Sequence, residues 1–302
     1  MPALTANPLG KTGITVTRLS AGGHFTSGPS SHNDIPRRVR ELHHMIDSGI
    51  TYFDVQWDPE ELAMAQVLKT RKKGIAVAWP LHGVTQLAGD LKAQYIVDYC
   101  NDHRTRYGIE HVDVLLWIAL ELYPSTQRQV IDELKKGFEI VKAQGFCDHL
   151  GFSCHHSAAM ALSTIQSVDC FAVMMTPYSP LHPAAGRQLL PEARRLGIGT
   201  VAMKPFGGGG GFLNKVWNAE VKDPAMAAYH NSGRAYQAAL KWVLQNPNLD
   251  CTVPGMHSQQ QIDQLLQAAC EPLCVEDRHI LDLMIATQQS TNTEVQLKHD
   301  WD

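Results

Sequence analysis

The stretch TYFDVQWDPEELAMAQVLKT, residues 51–70, contains one complete strand-and-helix unit. Its first five residues are aromatic or β-branched around a single Asp, which is typical of a buried strand. The Asp-Pro step that follows starts a segment whose apolar residues recur with a helical period. The stretch therefore predicts a strand at 51–55 and a helix at 59–71, with Asp58 as the N-cap residue of that helix.

The same order of elements recurs along the chain. Seven further short apolar runs predict strands, at 16–23, 74–80, 112–120, 149–153, 170–178, 198–205 and 249–255. Segments with helical periodicity alternate with them, at 35–48, 90–106, 127–143, 156–165, 184–196, 232–246 and 258–269. Eight such units in about 250 residues predict an α/β protein, a closed (β/α)8 TIM barrel with a parallel sheet. No G-x-G-x-x-G follows the first strand, which argues against a dinucleotide-binding Rossmann unit. No low-complexity linker interrupts the chain, so we expect one domain, residues 1–302.

Composition narrows the class of protein. The chain has 302 residues, 44% of them hydrophobic, and its formal net charge of −4 gives no reason to expect nucleic acid or a membrane as partner. No apolar run approaches the length of a transmembrane helix, and the N-terminus lacks the layout of a signal peptide. Seven scattered cysteines without a C-x-x-C pair are typical of reduced thiols. We therefore expect a cytoplasmic protein.

In a TIM barrel the chemistry lies at the C-terminal ends of the strands, and this rule selects the residues to consider. Asp54 ends the second strand, and since Asp58 is predicted to cap the helix, Asp54 is left for a functional role. Five consecutive glycines, 207–211, follow the seventh strand. They leave main-chain N–H groups open to a phosphate or pyrophosphate, although a floppy surface linker has the same composition.

Histidines are numerous, fifteen in all, and four of them lie near the predicted mouth of the barrel: His24, His82, His155 and His156. With Asp54 they could supply ligands for a divalent metal. No H-x-H or H-E-x-x-H spacing occurs, so we interpret them as independent hydrogen-bonding side chains and expect no metal site.

Several segments, in order along the chain, resemble the aldo-keto reductase family. LGKTGITVTRLSAGG (9–23) and MIDSGITYFD (45–54) are similar to the first two strands of the family. HVDVLLWIAL (111–120), GFCDHLGFSCHHS (145–157) and GIGTVAMKPFGGGG (197–210) resemble its fourth, fifth and seventh strands, and 239–269 resembles its last helix, strand and cofactor-end helix. The resemblance implies a TIM barrel that binds NADPH or NADH across its mouth and transfers a hydride to a carbonyl.

The family acts on small-molecule substrates with a tetrad of Asp, Tyr, Lys and His, in which the Tyr donates the proton and the charged Lys–Asp pair lowers the pKa of the Tyr. The resemblance carries over only the Asp, as Asp54. Trp57 or Asp58 stands where the Tyr is expected, Trp79 where the Lys is expected, and Ile118 where the His is expected. An indole cannot donate a proton as a phenol does, and Ile has no polar group, so the standard mechanism is not expected. Trp57, Trp79 and Ile118 are instead expected to line a pocket for an aromatic or apolar carbonyl.

The resemblance also implies positions that bind the cofactor. They are Ser153, Cys154, Lys204, Phe206, Gly207, Gly208, Gly255 and Gln261. Ser153 matches a residue that bonds the nicotinamide carboxamide, with Cys154 where an amide side chain is usual. Gln261 stands where an Arg would hold a 2′-phosphate, and the Asn that reads adenine falls near Leu265. Without the Arg, the binding of NADPH is weakened more than the binding of NADH, because only NADPH carries the 2′-phosphate. We therefore expect NADP or NAD as cofactor, with a weakened 2′-phosphate site.

Three functions remain open on these residues. The working hypothesis is a divergent oxidoreductase with a nicotinamide cofactor, in which Asp54 and a histidine, His24, His155 or His82, replace the lost proton donor. The second is a non-redox lyase, isomerase or metal-assisted enzyme that uses Asp54 and a histidine of the mouth. The third is a catalytically silent binding or regulatory protein, because bulky apolar residues stand where Tyr, Lys and His are expected. The fold alone does not decide among them.

Overall fold

The computed structural model describes residues 3–23, 34–71, 73–120, 128–155, 157–208, 213, 216 and 222–290. The strands are β1 Ala6–Pro8, β2 Thr15–Thr17, β3 Ala21–Gly23, β4 Tyr52–Val55, β5 Ala76–Leu81, β6 Val112–Trp117, β7 Cys147–Ser153, β8 Val173–Pro177, β9 Gly199–Met203 and β10 Cys251–Thr252. The helices are α1 Ile35–Asp47, α2 Asp58–Leu68, α3 Val84–Leu87, α4 Ala93–Tyr107, α5 Arg128–Ala143, α6 Ala158–Ser167, α7 Leu189–Leu196, α8 Pro224–Asn231, α9 Arg234–Leu244, α10 Gln259–Ala269 and α11 Val275–Ser290.

Eight strands, β3 to β10, form one parallel sheet in chain order. The first and last strands meet through hydrogen bonds from Ser20 N to Thr252 O (2.9 Å) and from Gly22 N to Pro254 O (2.9 Å). These contacts bring the two edges of the sheet together, and helices alternate with the strands around it. The predicted (β/α)8 barrel is confirmed.

The pleat of the strands sends alternate side chains to the two faces of the barrel wall. The inward set forms the interior of the barrel and comprises Tyr52, Ala76, Ala78, Val114, Leu116, Val173, Met175, Val201, Met203, Cys251 and Val253. The outward set, which includes Phe53, Val55 and Trp79, packs against the helices. A residue's place in this alternation therefore decides whether it belongs to the interior or to the layer of helices.

A β-hairpin covers the N-terminal end of the barrel. Strands β1 and β2 pair antiparallel, and Leu9 and Val16 of this hairpin pack into the interior cluster. Gly10 has a φ of 53°, and a Cβ at this position would lie 2.3 Å from the N of Gly199, so only glycine fits there. With this end closed, the mouth at the C-terminal ends of the strands is the side left for a ligand.

The first strand differs from the prediction. The run predicted at 16–23 is two elements, because its first part belongs to β2 of the hairpin and only Ala21–Gly23 enters the barrel. Ser20 Oγ donates to Thr17 O at 2.7 Å at the break between them. Both parts are apolar, so the hydrophobic pattern alone does not separate them.

Two other element boundaries, the start of α2 and the end of β6, also differ from the prediction. Helix α2 begins at Asp58, and its N-cap residue is Trp57, which makes no side-chain cap bond, so the prediction that Asp58 is the N-cap was wrong by one residue. Pro59 is compatible with this start, since proline lacks only an N–H that the first helical turn does not need. The strand predicted at 112–120 ends at Trp117, and Ala119 then takes a left-handed φ of 59°. Within the described residues, no helix is long and apolar enough to cross a membrane.

A buried arginine connects two helices to the strand ends at the mouth. Arg38 on α1 is fully buried, and its Nε and Nη2 donate to the two carboxylate oxygens of Glu60 on α2 at 2.9 and 2.8 Å. Its Nη1 donates to Met256 O at 2.7 Å, and Nη2 lies 3.4 Å from Gly22 O. A buried charge is tolerated only with such partners, so this pair holds α1 and α2 in position beside the mouth.

We predict that Glu60→Ala lowers the free energy of unfolding by about 3–5 kcal/mol, because it leaves the Arg38 charge buried without its main partner. Urea denaturation followed by circular dichroism measures the loss. Asp47→Ala is the matched control, since it breaks the exposed Arg71–Asp47 pair, whose contribution is at most about 1 kcal/mol. Equal losses in the two variants would contradict the role assigned to Arg38.

Candidate active site

Asp54 lies at the C-terminal end of β4 with its side chain directed into the barrel. The direction follows from the pleat, because Tyr52 belongs to the interior cluster while Phe53 and Val55 belong to the outer layer. Asp54 is 5% exposed, and Gln56 Nε2 donates to its Oδ1 at 2.6 Å. In the part of the chain that the structure describes, no lysine, arginine or histidine forms an ion pair with this carboxyl.

The surroundings of Asp54 favour its neutral form. Burial raises the pKa of the Asp54 carboxyl to about 8, because a carboxylate would lose its hydration in this position. The hydrogen bond from Gln56 opposes the rise, and the nearby charge of Glu60 adds to it. Asp54 is therefore largely protonated at neutral pH, unlike an ordinary aspartate.

Trp79 lies on the outer face of the barrel wall. Its Nε1 donates to His103 Nδ1 on α4 at 2.8 Å, and its ring packs edge-on against Tyr107 at 5.6 Å. The inward positions of β5 are Ala78 and Pro80, the latter paired with the inward Leu116 of β6. This placement does not match the predicted pocket role of Trp79. The inward residue at this strand end is Pro80, which carries no charge that could pair with Asp54.

Ile118 follows β6 and packs against the interior cluster, partly buried. Its N–H donates to Leu81 O at 3.1 Å, which holds it beside the end of β5. The position predicted for Ile118 at the mouth therefore agrees with its place in the fold. Together with Pro80 it makes this side of the mouth apolar.

Gln56 connects Asp54 to a stacked pair of rings. Its amide donates to Asp54, and its main-chain carbonyl is 2.8 Å from His82 Nε2. A carbonyl only accepts, so Nε2 of His82 carries the proton and Nδ1 is left as an acceptor. Burial lowers the pKa of His82, which keeps the ring neutral. Trp57 stacks on this ring at 4.9 Å and is 46% exposed, so it lies at the rim of the mouth.

Gln56 is not among the site residues predicted from the sequence. A signal was present, because residues i and i+2 of a strand lie on the same face, and an amide two residues after an inward Asp is placed to bond it. The link from the same residue to His82 depends on the conformation of the loop, which no pattern in the sequence shows.

Ser153, at the end of β7, lies inside the barrel, paired with the inward Met175. It is 1% exposed, and its Oγ accepts a hydrogen bond from Ala119 N–H at 2.9 Å. His155 Nε2 is 3.4 Å from the same oxygen, so the structure brings together two residues that the sequence predicted separately. Cys154 belongs to the outer layer, with Sγ 3.5 Å from Ser157 O, and it does not face the mouth.

Lys204 follows β9 in a left-handed conformation, with φ 56°. Gly207 N–H donates to Lys204 O at 2.9 Å, and Gly207 and Gly208 have φ values of 90° and 81°. A Cβ on Gly208 would lie 3.0 Å from Lys204 Cδ, so the lysine stem runs across the bare backbone of that glycine. Burial lowers the pKa of Lys204. Among the described residues, no carboxylate pairs with its ammonium group.

Three other predicted positions have clear surroundings. Phe206 packs edge-on against Tyr236 at 5.1 Å. Gly255 bridges to Gly22 of β3, and a Cβ there would lie 2.9 Å from His257 Nε2. Gln261 is exposed in the first turn of α10, where its Oε1 accepts from His257 N at 2.9 Å.

Two further residues, Leu265 and Tyr178, do not reach the mouth. Leu265 is 5% exposed and packs in the outer core, so it does not read a ligand. Tyr178 also faces outward, with its hydroxyl 2.9 Å from Asn246 Nδ2 and its ring 5.0 Å from Trp242. His24, His156 and glycines 209–211 lie outside the described residues. Among those described, no group of three or more His, Cys, Asp or Glu side chains is placed to hold a metal ion.

Comparisons with known proteins agree with this architecture. The family model described as "Aldo/keto reductase family" matches residues 18–284. The chain is 24% identical over 301 residues to "Uncharacterized oxidoreductase YrpG" of Bacillus subtilis (strain 168), with 86% of this chain and 89% of the relative covered. It is 23% identical over 305 residues to "Probable aldo-keto reductase 1" of Glycine max, covering 89% and 85% of the two chains.

A solved structure shows the same fold. The aldo-keto reductase AKR11C1 from Bacillus halodurans (holo form) superposes with a TM-score of 0.69 at 18% identity, with 93% of this chain and 96% of that chain covered. The fold and the mouth define a TIM-barrel protein with an oxidoreductase-like architecture. The chain belongs to the aldo-keto reductase family.

We predict that Trp79→Phe destabilises the protein by about 1–3 kcal/mol without changing ligand binding at the mouth, because it removes the donor to His103 and part of a buried ring from the helix layer. Thermal and urea unfolding measure the first effect, and quenching of the remaining tryptophan fluorescence by NADH measures the second. Trp57→Phe is the matched control, with little change in stability because Trp57 is half exposed. Loss of NADH binding in Trp79→Phe would place Trp79 in the site after all.

Proposed function

We propose that the protein is a divergent oxidoreductase that binds a nicotinamide dinucleotide across the mouth of the barrel and reduces a carbonyl without the family's Tyr, Lys and His. The observation that carries the proposal is the group formed by Lys204, Gly207 and Gly208. The ammonium of Lys204 has no carboxylate partner within the part of the chain that the structure describes, and the lysine lies beside two glycines with positive φ. A diphosphate is the ligand that such a group suits.

The residues present at this end fit the diphosphate. A Cβ at Gly208 would lie only 3.0 Å from Lys204 Cδ, and the positive φ of Gly208 also disfavours a side chain, so glycine lets the lysine stem lie close to the backbone. The partly buried ammonium is only partly hydrated, which strengthens its attraction to an anion. Phe206 and Gly255, at the ends of neighbouring strands, would complete the walls of the cofactor site.

The nicotinamide end would lie at Ser153. Its Oγ already accepts a hydrogen bond from Ala119, so its hydroxyl proton would turn from His155 Nε2, 3.4 Å away, to be donated to a carboxamide oxygen. Cys154 faces the outer layer, so it would support this site by packing only. When bound, the reduced nicotinamide supplies a hydride to the substrate carbon. The candidate groups of the chain for moving the proton are Asp54, His155 and His24.

The adenosine end favours NAD over NADP. Gln261 is neutral and its Oε1 is already bonded to His257 N, so only its amide N–H groups are left for a ligand. The first turn of α10 contains three glutamines and no lysine or arginine. A 2′-phosphate would find no cation on this turn, whereas a 2′-hydroxyl needs none.

The substrate would be a flat or apolar carbonyl compound. Trp57 and His82 present a stacked aromatic pair at the rim, and Ile118 with Pro80 makes the adjacent wall apolar. Such a surface suits an aromatic aldehyde or ketone. We also propose that the chain acts in the cytoplasm as a single domain, and its seven scattered cysteines, with no C-x-x-C pair among them, support this location.

A catalytically silent binding protein is the second candidate. The observation that favours it is that Pro80 and Ile118 are both apolar on the side of the mouth next to Asp54. It would bind NADH as tightly but turn over no carbonyl. Reduction of any aromatic aldehyde or ketone at a rate above that of NADH alone would exclude it.

We predict saturable binding of NADH, with Lys204→Met weakening it by about 10-fold or more, since a charge-assisted hydrogen bond contributes about 1.5–3 kcal/mol. Calorimetric titration measures both proteins, and the loss should shrink as salt is raised. Lys11→Met is the matched control, because Lys11 lies at the opposite end of the barrel and bonds Leu196 O. Absence of NADH and NADPH binding to the wild type would refute the proposed function.

We predict that Gln261→Arg strengthens NADPH binding by about 10-fold or more and leaves NADH nearly unchanged, because only the 2′-phosphate gains a partner. The ratio of the two dissociation constants is the measurement. Gln260→Arg is the matched control, with the same charge one residue away and turned by about 100° around α10. An equal gain from both variants would show a general effect of charge and no 2′-phosphate site at Gln261.

A further inference from the structure

We propose that Asp54 is held in this protein as a neutral carboxylic acid and is itself the catalytic residue that donates the proton to the substrate oxygen. The proposal rests on the proposed function for its substrate, a carbonyl compound. It differs from the role that the resemblance implies for this residue, in which the Asp is one of the charged partners of a proton-donating Tyr. Three features of the structure support the neutral form of Asp54: its position in the barrel, the charges around it and the hydrogen bond from Gln56.

Among the residues that the structure describes, the position of Asp54 keeps its carboxyl apart from cations. It is directed into the barrel at the end of β4, and the adjoining inward residues on β3 and β5 are Gly22, Ala78 and Pro80. None of these can compensate a negative charge. A buried carboxylate without a partner is so costly that the group takes up a proton instead.

The titratable groups around Asp54 also favour the neutral form. Glu60 of α2 adds a negative charge nearby, and its own partner Arg38 is fully engaged with Glu60, Glu41 and main-chain oxygens. Tyr52 on the same strand and Cys251 on β10 both lie within electrostatic range of Asp54. Burial raises the pKa of each well above its usual range, so neither carries charge at neutral pH. His82, held by Gln56 O, is kept neutral by its lowered pKa.

The hydrogen bond from Gln56 decides which oxygen carries the proton. Gln56 Nε2 donates to Oδ1, so Oδ1 is the accepting carbonyl oxygen and Oδ2 carries the hydrogen. In the reaction the Oδ2–H bond breaks and an O–H bond forms on the substrate oxygen. The electron pair of the broken bond stays on Asp54 as a carboxylate, while the substrate carbon receives its hydride from the reduced nicotinamide. The carboxylate regains its proton from water before the next turnover.

Infrared difference spectroscopy of the protein without cofactor tests the state of Asp54 directly. We expect a carbonyl stretch of a protonated carboxylic acid at pH 6–7 that disappears as the pH is raised through a midpoint near 8. The band should be absent in Asp54→Asn and present in Asp98→Asn, which removes an exposed carboxylate on α4. In Gln56→Leu the midpoint should move higher, because the bond that opposes the rise is lost. A wild type without this band at pH 6–7 overturns the inference.

Kinetics test the proton donation, with NADH and para-nitrobenzaldehyde as the probe. We expect the turnover rate of the wild type to fall above the infrared midpoint. Asp54→Asn should lower kcat by about 10²–10⁴-fold with NADH affinity retained, because a positioned general acid contributes that much. An Asp54→Asn variant that folds, binds NADH and turns over like the wild type overturns the inference. A wild type that shows the band but binds neither NADH nor NADPH refutes the proposed function, whereas NADH binding without the band refutes only the role of Asp54.

Discussion

The site depends on one geometric constraint, the alternation of side chains along the strands of a closed parallel barrel. Asp54 points inward because Phe53 and Val55 point outward, and the same rule sends Trp79 to the helices and leaves Pro80 inside. A shift of one residue in any strand would exchange the two faces. The hairpin at the N-terminal end fills the lower part of the interior, so only the inward residues at the upper ends of the strands can meet a ligand.

This constraint gives the carboxyl at the mouth its unusual chemistry. The described positions beside Asp54 are filled by residues without charge, and the guanidinium of Arg38 is bound to Glu60 on the helix side of the barrel wall. An amide then becomes the partner of the carboxyl, and an amide does not compensate a charge. A group that serves as a charged partner elsewhere in the family thus becomes a candidate acid in this protein. The proposed cofactor end differs, because Lys204 lies beside glycines with positive φ and supplies a cation where an anion would bind.

Much of the fold could be predicted from the sequence, because eight strand-and-helix units and six ordered segments of resemblance all indicate one barrel. Asp54 and Ile118 could also be placed, since each ends a clear apolar run. Trp79 could not, because the strands of a parallel sheet are apolar on both faces and the pattern does not show which face looks inward. The split of 16–23 into hairpin and barrel strand escaped prediction for the same reason. The bond from Gln56 to Asp54 and the link to His82 depend on a loop conformation that only the structure describes.

We propose that the mouth of this barrel still binds a nicotinamide dinucleotide, with its phosphates at Lys204, Gly207 and Gly208 and its nicotinamide at Ser153. Hydrogen–deuterium exchange with and without NADH tests the claim most directly, because it locates the ligand without requiring turnover. We predict that NADH slows amide exchange at the end of β7, at residues 204–208 and in the first turn of α10. Exchange that NADH leaves unchanged in all three segments, or slows only at the hairpin end of the barrel, would contradict it.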